Sequence, residues 1–301
     1  MFSDIAKEKM KKVATKMNTP DSLQVLIVGS SHAQFGISPE ILQKQLDCSV
    51  LNLAYGGGAN MGVQLTLLQK LIDEKRILPK LIIFGMDVFA LNAEPTTSDQ
   101  FQPYLFNQSE EATEFFNSKM FYSYFKLYSR FIPRYIAQVK AGHYSLPYFD
   151  KKNAYDLSMF SKFNSYEITD GGWVKGNGFL NKNYIRYSET LFNPAKKALF
   201  DLDEYVGLCK KNNIQLVFIQ VPENNVCLKW SKKYTDFEIW MNQFVEKNNL
   251  QYLNFNTLAN YPTTNDSLFF DSDHLNKEGA ELLSIKLAEK IKLLTKTTTG
   301  K

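Results

Sequence analysis

The hydrophobic positions of the chain form short apolar runs that alternate with longer amphipathic segments. The runs are near-continuous and rich in β-branched and aromatic residues, as in strands buried on both faces of a parallel sheet. They cover Leu23–Val28, Ser49–Leu53, Lys80–Gly85, Ile214–Val221 and Leu250–Phe255. Between them, helical spacing predicts helices over Pro39–Leu46, Met61–Ile72, the segment after Pro194, Ser231–Val245 and Asn276–Leu294. Alternating strands and helices predict a three-layer α/β/α fold.

The alternation stops between the third and fourth runs. Residues 92–194 are rich in aromatic side chains and contain helical stretches, followed by a polar segment with the sequence Asp170-Gly171-Gly172-Trp173. We therefore predict one domain over residues 1–301 with a mainly helical insertion at 92–194. An insertion after the third strand would lie over the edge of the sheet where ligands bind, so it is a candidate lid, and Trp173 is the side chain expected to reach a substrate.

Composition excludes several classes of function. The net charge of +4 is small and the lysines are scattered, which argues against nucleic acid as a partner. The three cysteines have no CxxC spacing, so neither a disulfide framework nor a zinc site is indicated. No signal peptide opens the chain and no apolar stretch is long enough to span a membrane. Residues 1–19 form a basic amphipathic segment, either a surface helix or the end of a membrane anchor.

Candidate chemistry collects at the predicted carboxyl ends of the strands, where open parallel sheets bind ligands. The first strand runs into Gly29-Ser30-Ser31-His32, the second into Gly56-Gly57-Gly58-Ala59-Asn60, and the third into Gly85-Met86-Asp87. The fifth strand is followed by Asp271-Ser272-Asp273-His274, which contains one of only three histidines in the chain. A serine, a histidine and a carboxylate are the parts of an acyl-transfer site, and glycines let backbone N–H groups approach a developing oxyanion.

These blocks resemble those of the SGNH/GDSL hydrolases. The resemblance implies a flavodoxin-like five-stranded parallel sheet, Ser31 as nucleophile, His274 as base, Asp271 as its orienting carboxylate and Gly57 as an oxyanion donor. The sequence Gly-Ser-Ser in the first block is similar to the branch that includes the D-alanyl-lipoteichoic acid transfer protein and alginate O-acetylation proteins. Members of that branch typically act at the outer face of a bacterial membrane.

The third block departs from the family pattern. The family usually has Gly-x-Asn-Asp, whereas this chain has Gly85-Met86-Asp87-Val88, and an ionised aspartate cannot donate a hydrogen bond to an oxyanion. Asn60 could replace that donor, or the N–H groups of Ser31 and Gly57 could act alone. Asp87 is then expected to make a structural or pocket-lining contact.

Two further residues allow alternatives. Asp273 is a rival for the orienting carboxylate, although its position next to His274 makes that contact harder. His32 could either line the pocket or pack the turn after the first strand. His143 has no visible partner in sequence, and Asp271, Asp273 and His274 alone do not have the spacing of a zinc site.

The sequence therefore predicts a serine-dependent esterase or O-acyltransferase that needs no cofactor. Its expected substrate is an acetyl or other acyl ester of a carbohydrate or cell-envelope polymer, with a membrane-bound acyl-donor protein as a possible partner. The alternative is a non-catalytic carbohydrate-binding protein that keeps the fold as a scaffold in a polymer-modifying assembly.

Overall fold

The computed structural model describes residues 23–54, 61–73, 78–92, 167–176, 192–225, 233–257, 259–271 and 273–299. Its strands are β1 (Val25–Gly29), β2 (Val50–Asn52), β3 (Leu81–Gly85), β4 (Glu167–Ile168), β5 (Val174–Lys175), β6 (Gln215–Gln220) and β7 (Gln251–Asn254). Its α-helices are α1 (Ser31–Gly36), α2 (Pro39–Leu46), α3 (Met61–Asp73), α4 (Val88–Asn92), α5 (Lys196–Lys211), α6 (Lys233–Asn248) and α7 (Lys277–Thr299). A 3₁₀ turn at Asp266–Leu268 precedes α7.

The main sheet has five parallel strands in the order β2–β1–β3–β6–β7. Every residue of β1 and β3 is buried, because helices cover both faces. Helices α1, α2 and α7 pack together as one layer, and α3 packs against α5 in the other. The predicted three-layer α/β/α fold with a flavodoxin-like strand order is therefore confirmed.

The helices predicted from apolar spacing are present close to their expected bounds, whereas two short helices were not predicted. Helix α2 starts where Ser38 caps it, its side-chain oxygen accepting from the Ile41 N–H at 3.3 Å, and it ends at Asp47 in the left-handed conformation. Helices α1 and α4 follow β1 and β3 directly. They have six and five residues, too few for a helical period to be recognised in the sequence.

A hairpin of β4 and β5 extends the domain beside β2, although its sequence lies within the predicted insertion 92–194. The N–H of Asn52 donates to the Gly171 carbonyl at 2.8 Å, and the Gly171 N–H donates to Glu40 of α2 at 3.3 Å. A Cβ on Gly171 would lie 2.6 Å from the ring of Pro39, so the turn needs a glycine to approach this closely. Residues 167–176 thus pack against the strand β2 and helix α2.

The other parts of the insertion, 93–166 and 177–191, and the basic segment 1–19 lie outside the described residues, so the lid and the N-terminal helix stay predictions. Among the helices that the structure describes, none combines the length and the apolar character required to cross a membrane.

Candidate active site

Ser31 lies at the sharp transition from β1 to α1. Gly29 ends the strand with a φ of +131°, and a Cβ there would lie 2.4 Å from the carbonyl oxygen of Gly85. A Cβ on Gly85 would in turn lie 2.5 Å from that of Ala33 in α1. These two glycines let β1, β3 and α1 come together, so that Ser31, the first residue of α1, stands at the carboxyl edge of the sheet.

The structure brings Ser31, His274 and Asp271 together as a hydrogen-bonded series. His274 Nε2 lies 2.8 Å from Ser31 Oγ, and His274 Nδ1 lies 3.0 Å from both carboxylate oxygens of Asp271. A carboxylate can only accept, so Nδ1 carries a proton and Nε2 is free to accept the hydroxyl proton. This is the arrangement of nucleophile, base and orienting carboxylate found in serine acyl-transfer enzymes.

Backbone hydrogen bonds fix the loop that carries the histidine and its carboxylate. The Oδ1 atom of Asp271 accepts from the N–H groups of His274 at 2.7 Å and Asp273 at 3.0 Å. The Phe270 N–H donates to the His274 carbonyl at 2.9 Å, next to an antiparallel bridge between Phe269 and Leu275. Asn276 then caps α7 by accepting from the Gly279 N–H at 3.0 Å. These hydrogen bonds place the side chain of His274 next to Ser31.

Two carboxylates act on His274. Burial by itself would lower the pKa of His274, but the charges of Asp271 and then Asp273 outweigh it, so that the pKa lies above the usual 6.5. The Asp273 Oδ1 atom lies 3.6 Å from His274 Nδ1, against 3.0 Å for Asp271. Asp271 therefore makes the hydrogen bond, and Asp273, the rival considered from sequence, contributes charge.

His32 and Asp87 form a second histidine–carboxylate pair behind the first. His32 Nδ1 lies 3.2 Å from Asp87 Oδ2 and 3.5 Å from Ser30 Oγ, with the side chains of both His32 and Asp87 only 6% exposed. Asp87 Oδ1 accepts from the Ala90 N–H at 2.9 Å and so caps α4. Asp87 therefore takes the structural role that the sequence left open, and its carboxylate is occupied by His32.

The electrostatics of this pair favour a protonated His32. Burial alone would lower its pKa, but the nearby carboxylate of Asp273, the hydrogen bond to Asp87 and the charge of Glu223 raise the pKa well above 6.5. Burial alone would likewise raise the pKa of Asp87, but contact with His32 lowers it below 3.8. The sequence missed this pair. The signal for it was an acidic residue in place of the third-block asparagine together with a histidine next to the nucleophile.

The oxyanion donors are only partly described. Gly57 and Asn60 lie outside the described residues, so their proposed roles stay predictions. The N–H of Ser31 is in the first turn of α1, where backbone donors have no partner within the helix. Asn52 fixes the strand that leads to Gly57: its Nδ2 donates to the carbonyls of Ala33 at 3.0 Å and Ile37 at 2.9 Å, and its Oδ1 accepts from the Ala54 N–H at 3.0 Å.

Trp173 lies in the core, not on a surface that a substrate could reach. Only 3% of the residue is exposed, and its indole Nε1 donates to the Phe35 carbonyl of α1 at 2.7 Å. A buried indole needs such an acceptor, which explains the contact. The expectation that Trp173 touches substrate does not fit this placement, because its ring instead braces the helix that carries Ser31.

Phe35 is a further residue of the site that the sequence did not single out. Its ring meets the imidazole of His274 edge-on, with centroids 5.5 Å apart, and stacks on Phe270 at 6.4 Å. The contact covers one side of His274 with an apolar surface and restricts the rotation of the imidazole. Phe35 follows Ser31 by one helical turn, but a lone aromatic residue there gives no distinctive sequence signal.

Among the described residues, His32, Asp273 and His274 form the one cluster of residue types that can bind metal ions, with one atom of each within 4.8 Å of the others. Their ring nitrogens already have partners, since His274 uses Nδ1 for Asp271 and Nε2 for Ser31, and His32 uses Nδ1 for Asp87. These contacts favour a network of ion pairs and hydrogen bonds over a metal centre, so we assign no metal ligand here.

Comparison with known proteins found no matching family model and no matching curated sequence. A search of solved structures matched a candidate acylhydrolase from Bacteroides fragilis, at 11% identity and a TM-score of 0.41, covering 93% of this chain and 96% of that one. A candidate lipolytic protein of the G-D-S-L family from Desulfitobacterium hafniense is 10% identical, with a TM-score of 0.41 over 88% of this chain and 98% of that one. A GDSL-like lipase from Bacteroides thetaiotaomicron is 11% identical, with a TM-score of 0.39 over 97% of this chain and 100% of that one.

Proposed function

We propose that the protein is a serine-dependent ester hydrolase or acyltransferase that works through an acyl-enzyme. The observation that carries this proposal is the continuous series from Ser31 Oγ through His274 to Asp271, with distances of 2.8 and 3.0 Å. Ser31 lies near one end of the chain and the other two lie near the opposite end, where the His274 N–H donates to the Asp271 carboxylate. Such a pre-positioned set favours nucleophilic catalysis over a chance cluster.

The reaction follows from the protonation states. Ser31 Oγ attacks the ester carbonyl while His274 Nε2 takes the hydroxyl proton, and Asp271 stabilises the imidazolium through Nδ1. The tetrahedral intermediate then expels the alcohol, which leaves with the proton from His274, and an acyl-Ser31 ester remains. A second hydroxyl compound loses its proton to His274, attacks the acyl group and restores the serine. Water in this step gives an esterase, and a sugar hydroxyl gives an O-acyltransferase.

The sequence resemblance supports an acylated carbohydrate or cell-envelope polymer as substrate and a membrane-bound protein as acyl donor. A direct measurement is the partition of the acyl group. The purified protein would be given p-nitrophenyl acetate with and without an oligosaccharide acceptor, and the products analysed by mass spectrometry. Acetylated oligosaccharide supports transfer, whereas acetate alone, with unchanged release of nitrophenol, supports hydrolysis.

The nucleophile is tested by covalent labelling with a fluorophosphonate. We expect wild type to be labelled at Ser31 and Ser31→Ala to be unlabelled. Ser267→Ala is a matched control, since Ser267 is exposed and its hydroxyl donates to the nearby side chain of Asn265. An unlabelled wild type, or equal labelling of Ser31→Ala, contradicts the assignment.

A carbohydrate-binding scaffold is the second candidate, favoured by one observation. Asp87 stands where the resemblance places an asparagine donor, and its carboxylate is bound to His32 at 3.2 Å. A site short of one oxyanion donor loses about 10²–10³ in kcat in other enzymes. Glycan binding by both wild type and Ser31→Ala, without turnover of acetyl or aryl esters by wild type, would favour the scaffold.

A further inference from the structure

Three carboxylates and two imidazoles form one series of close polar contacts that ends at Ser31. We call Asp87, His32 and Asp273 the outer ion-pair set. Asp87 Oδ2 lies 3.2 Å from His32 Nδ1, and His32 Nε2 lies 3.7 Å from Asp273 Oδ2. The other oxygen of Asp273 lies 3.6 Å from His274 Nδ1. The set therefore joins the residue after the nucleophile to the imidazole that serves it.

Asp273 creates a difficulty that a simple triad does not have. A general base must be neutral before it can accept a proton, and each nearby carboxylate favours the protonated form of His274. Asp271 already supplies the one carboxylate needed to orient the ring. With a second one at 3.6 Å, His274 would hold its proton at pH values where it should act as base.

His32 is placed to offset that second carboxylate. Its ring centroid lies 5.0 Å from that of His274, and a cation at this distance disfavours a second positive charge. The carboxylates of Asp87, Asp273 and Glu223 favour the protonated form of His32. On its other side, His32 contacts the ring of His274. The charged or titratable groups that act on His274 are Asp271, Asp273 and His32.

We infer that His32 is a positioning residue: held as a cation between Asp87 and Asp273, it neutralises Asp273 and sets the pH above which His274 acts as base. This inference rests on the proposed function, because it concerns the base that activates Ser31. It also gives Asp87 a purpose. An aspartate in the third block is the counter-ion that keeps the residue after the nucleophile charged.

The test measures the titration of His274 directly and does not depend on turnover. The chain has only three histidines, so the imidazole signals in an NMR titration can be assigned with His32→Asn, His143→Asn and His274→Asn. In His32→Asn we expect the titration midpoint of His274 to rise by roughly one pH unit, since a like-charged neighbour has been lost and two carboxylates remain.

A double substitution separates charge balance from packing. In His32→Asn/Asp273→Asn the cation and its carboxylate are both gone, so the His274 midpoint should return to within about half a unit of wild type. Asp87→Asn should move the midpoint in the same direction as His32→Asn but less far. The control is Glu167→Gln, in an exposed ion pair with Lys175, which should leave the midpoint unchanged.

Activity gives an independent readout. The acidic limb of kcat/KM for p-nitrophenyl acetate should move to higher pH in His32→Asn by the same amount as the NMR midpoint. An unchanged His274 midpoint in folded His32→Asn overturns the inference, as does a shift that Asp273→Asn does not reverse. Should His32→Asn fail to fold, Asp87→Asn decides in the same way. A shifted midpoint in a protein that neither hydrolyses esters nor transfers their acyl group would contradict the proposed function and leave this inference standing.

Discussion

The two histidines of the site have similar partners and opposite consequences. Each places Nδ1 against a carboxylate, at 3.0 Å for His274 with Asp271 and at 3.2 Å for His32 with Asp87. They differ at Nε2: that of His274 meets the hydroxyl of Ser31, whereas that of His32 faces the carboxylate of Asp273 at 3.7 Å. The hydroxyl of Ser31 can transfer its proton to His274. The carboxylate of Asp273 has no proton to give and instead favours the protonated form of His32.

This difference shows that a histidine–carboxylate pair does not by itself make a base. The side chain of His32 is 6% exposed and lies between two carboxylates, so it holds a positive charge and does not transfer a proton; we call this charge-storing. His274 lies at the edge of the sheet, where its second nitrogen reaches a nucleophile. Single substitutions should therefore separate the roles of the two histidines.

The largest expected effect is on the rate when each imidazole is removed in turn. His274→Asn should lower kcat/KM for p-nitrophenyl acetate by about 10⁴, because the residual rate then comes from binding and the oxyanion donors alone. His32→Asn should lose less than about tenfold when each protein is measured at its own pH optimum. Steady-state kinetics over a range of pH measure both. Equal losses would mean that His32 touches the reacting atoms.

The two carboxylates beside His274 should differ in the next largest effect. Asp271→Asn removes the acceptor that fixes the imidazole tautomer and should lower kcat by about 10²–10⁴. Asp273→Asn removes only charge, so its maximal kcat should stay within about tenfold of wild type and its acidic limb should move to lower pH. The direction of that limb distinguishes the two roles. A larger loss from Asp273→Asn would make Asp273 the orienting carboxylate.

The sequence predicted the parts of the site that depend on a local pattern. Apolar runs located the strands of the sheet, and their carboxyl ends brought Ser31 to the same edge as the segment containing Asp271 and His274. The covering of the sheet by helices on both faces followed the same rule, because a buried parallel strand is apolar throughout, whereas the strand order was implied by the family resemblance. Local order in the sequence therefore carried most of the fold.

The rest depends on contacts that no local pattern records. His32 and Asp87 are 55 residues apart and meet only because the glycines of β1 and β3 bring those strands' ends together. Trp173 was expected at a substrate because it belongs to an insertion placed over the ligand-binding edge of the sheet, yet its indole reaches 138 residues back to the Phe35 carbonyl. Side-chain partners of this kind are set by tertiary packing, which a single sequence does not display.

Removing a contact to α1 without changing any charge provides a control for the comparison of the two histidines. Trp173→Phe removes the donor to the Phe35 carbonyl and some buried ring, and should lower the free energy of unfolding by about 2–3 kcal/mol. Both histidines should then keep their titration midpoints, since no charged group has changed. Urea unfolding and the NMR titration measure the two quantities. A rise in KM at unchanged stability would instead place Trp173 against substrate.

The smallest effect is the pH dependence of stability, and its sign follows from the direction of each pKa. The pKa of folded His32 is above 6.5, so its contribution is fully present below pH 6.5 and is lost as the pH rises through the folded value. The pKa values of Asp87 and Asp273 are below 3.8, so their contributions are present above pH 3.8 and are lost as the pH falls through the folded values.

Stability should therefore be greatest between about pH 4 and 6.5. The difference in unfolding free energy between wild type and His32→Asn should be largest in that window, and should shrink by about 1 kcal/mol as the pH is raised to 9, because wild type loses the proton that the variant never binds. Urea unfolding at a series of pH values gives this difference. If it is constant from pH 5 to 9, the pKa of His32 is not raised on folding, and the contrast between a charge-storing and a proton-transferring histidine fails.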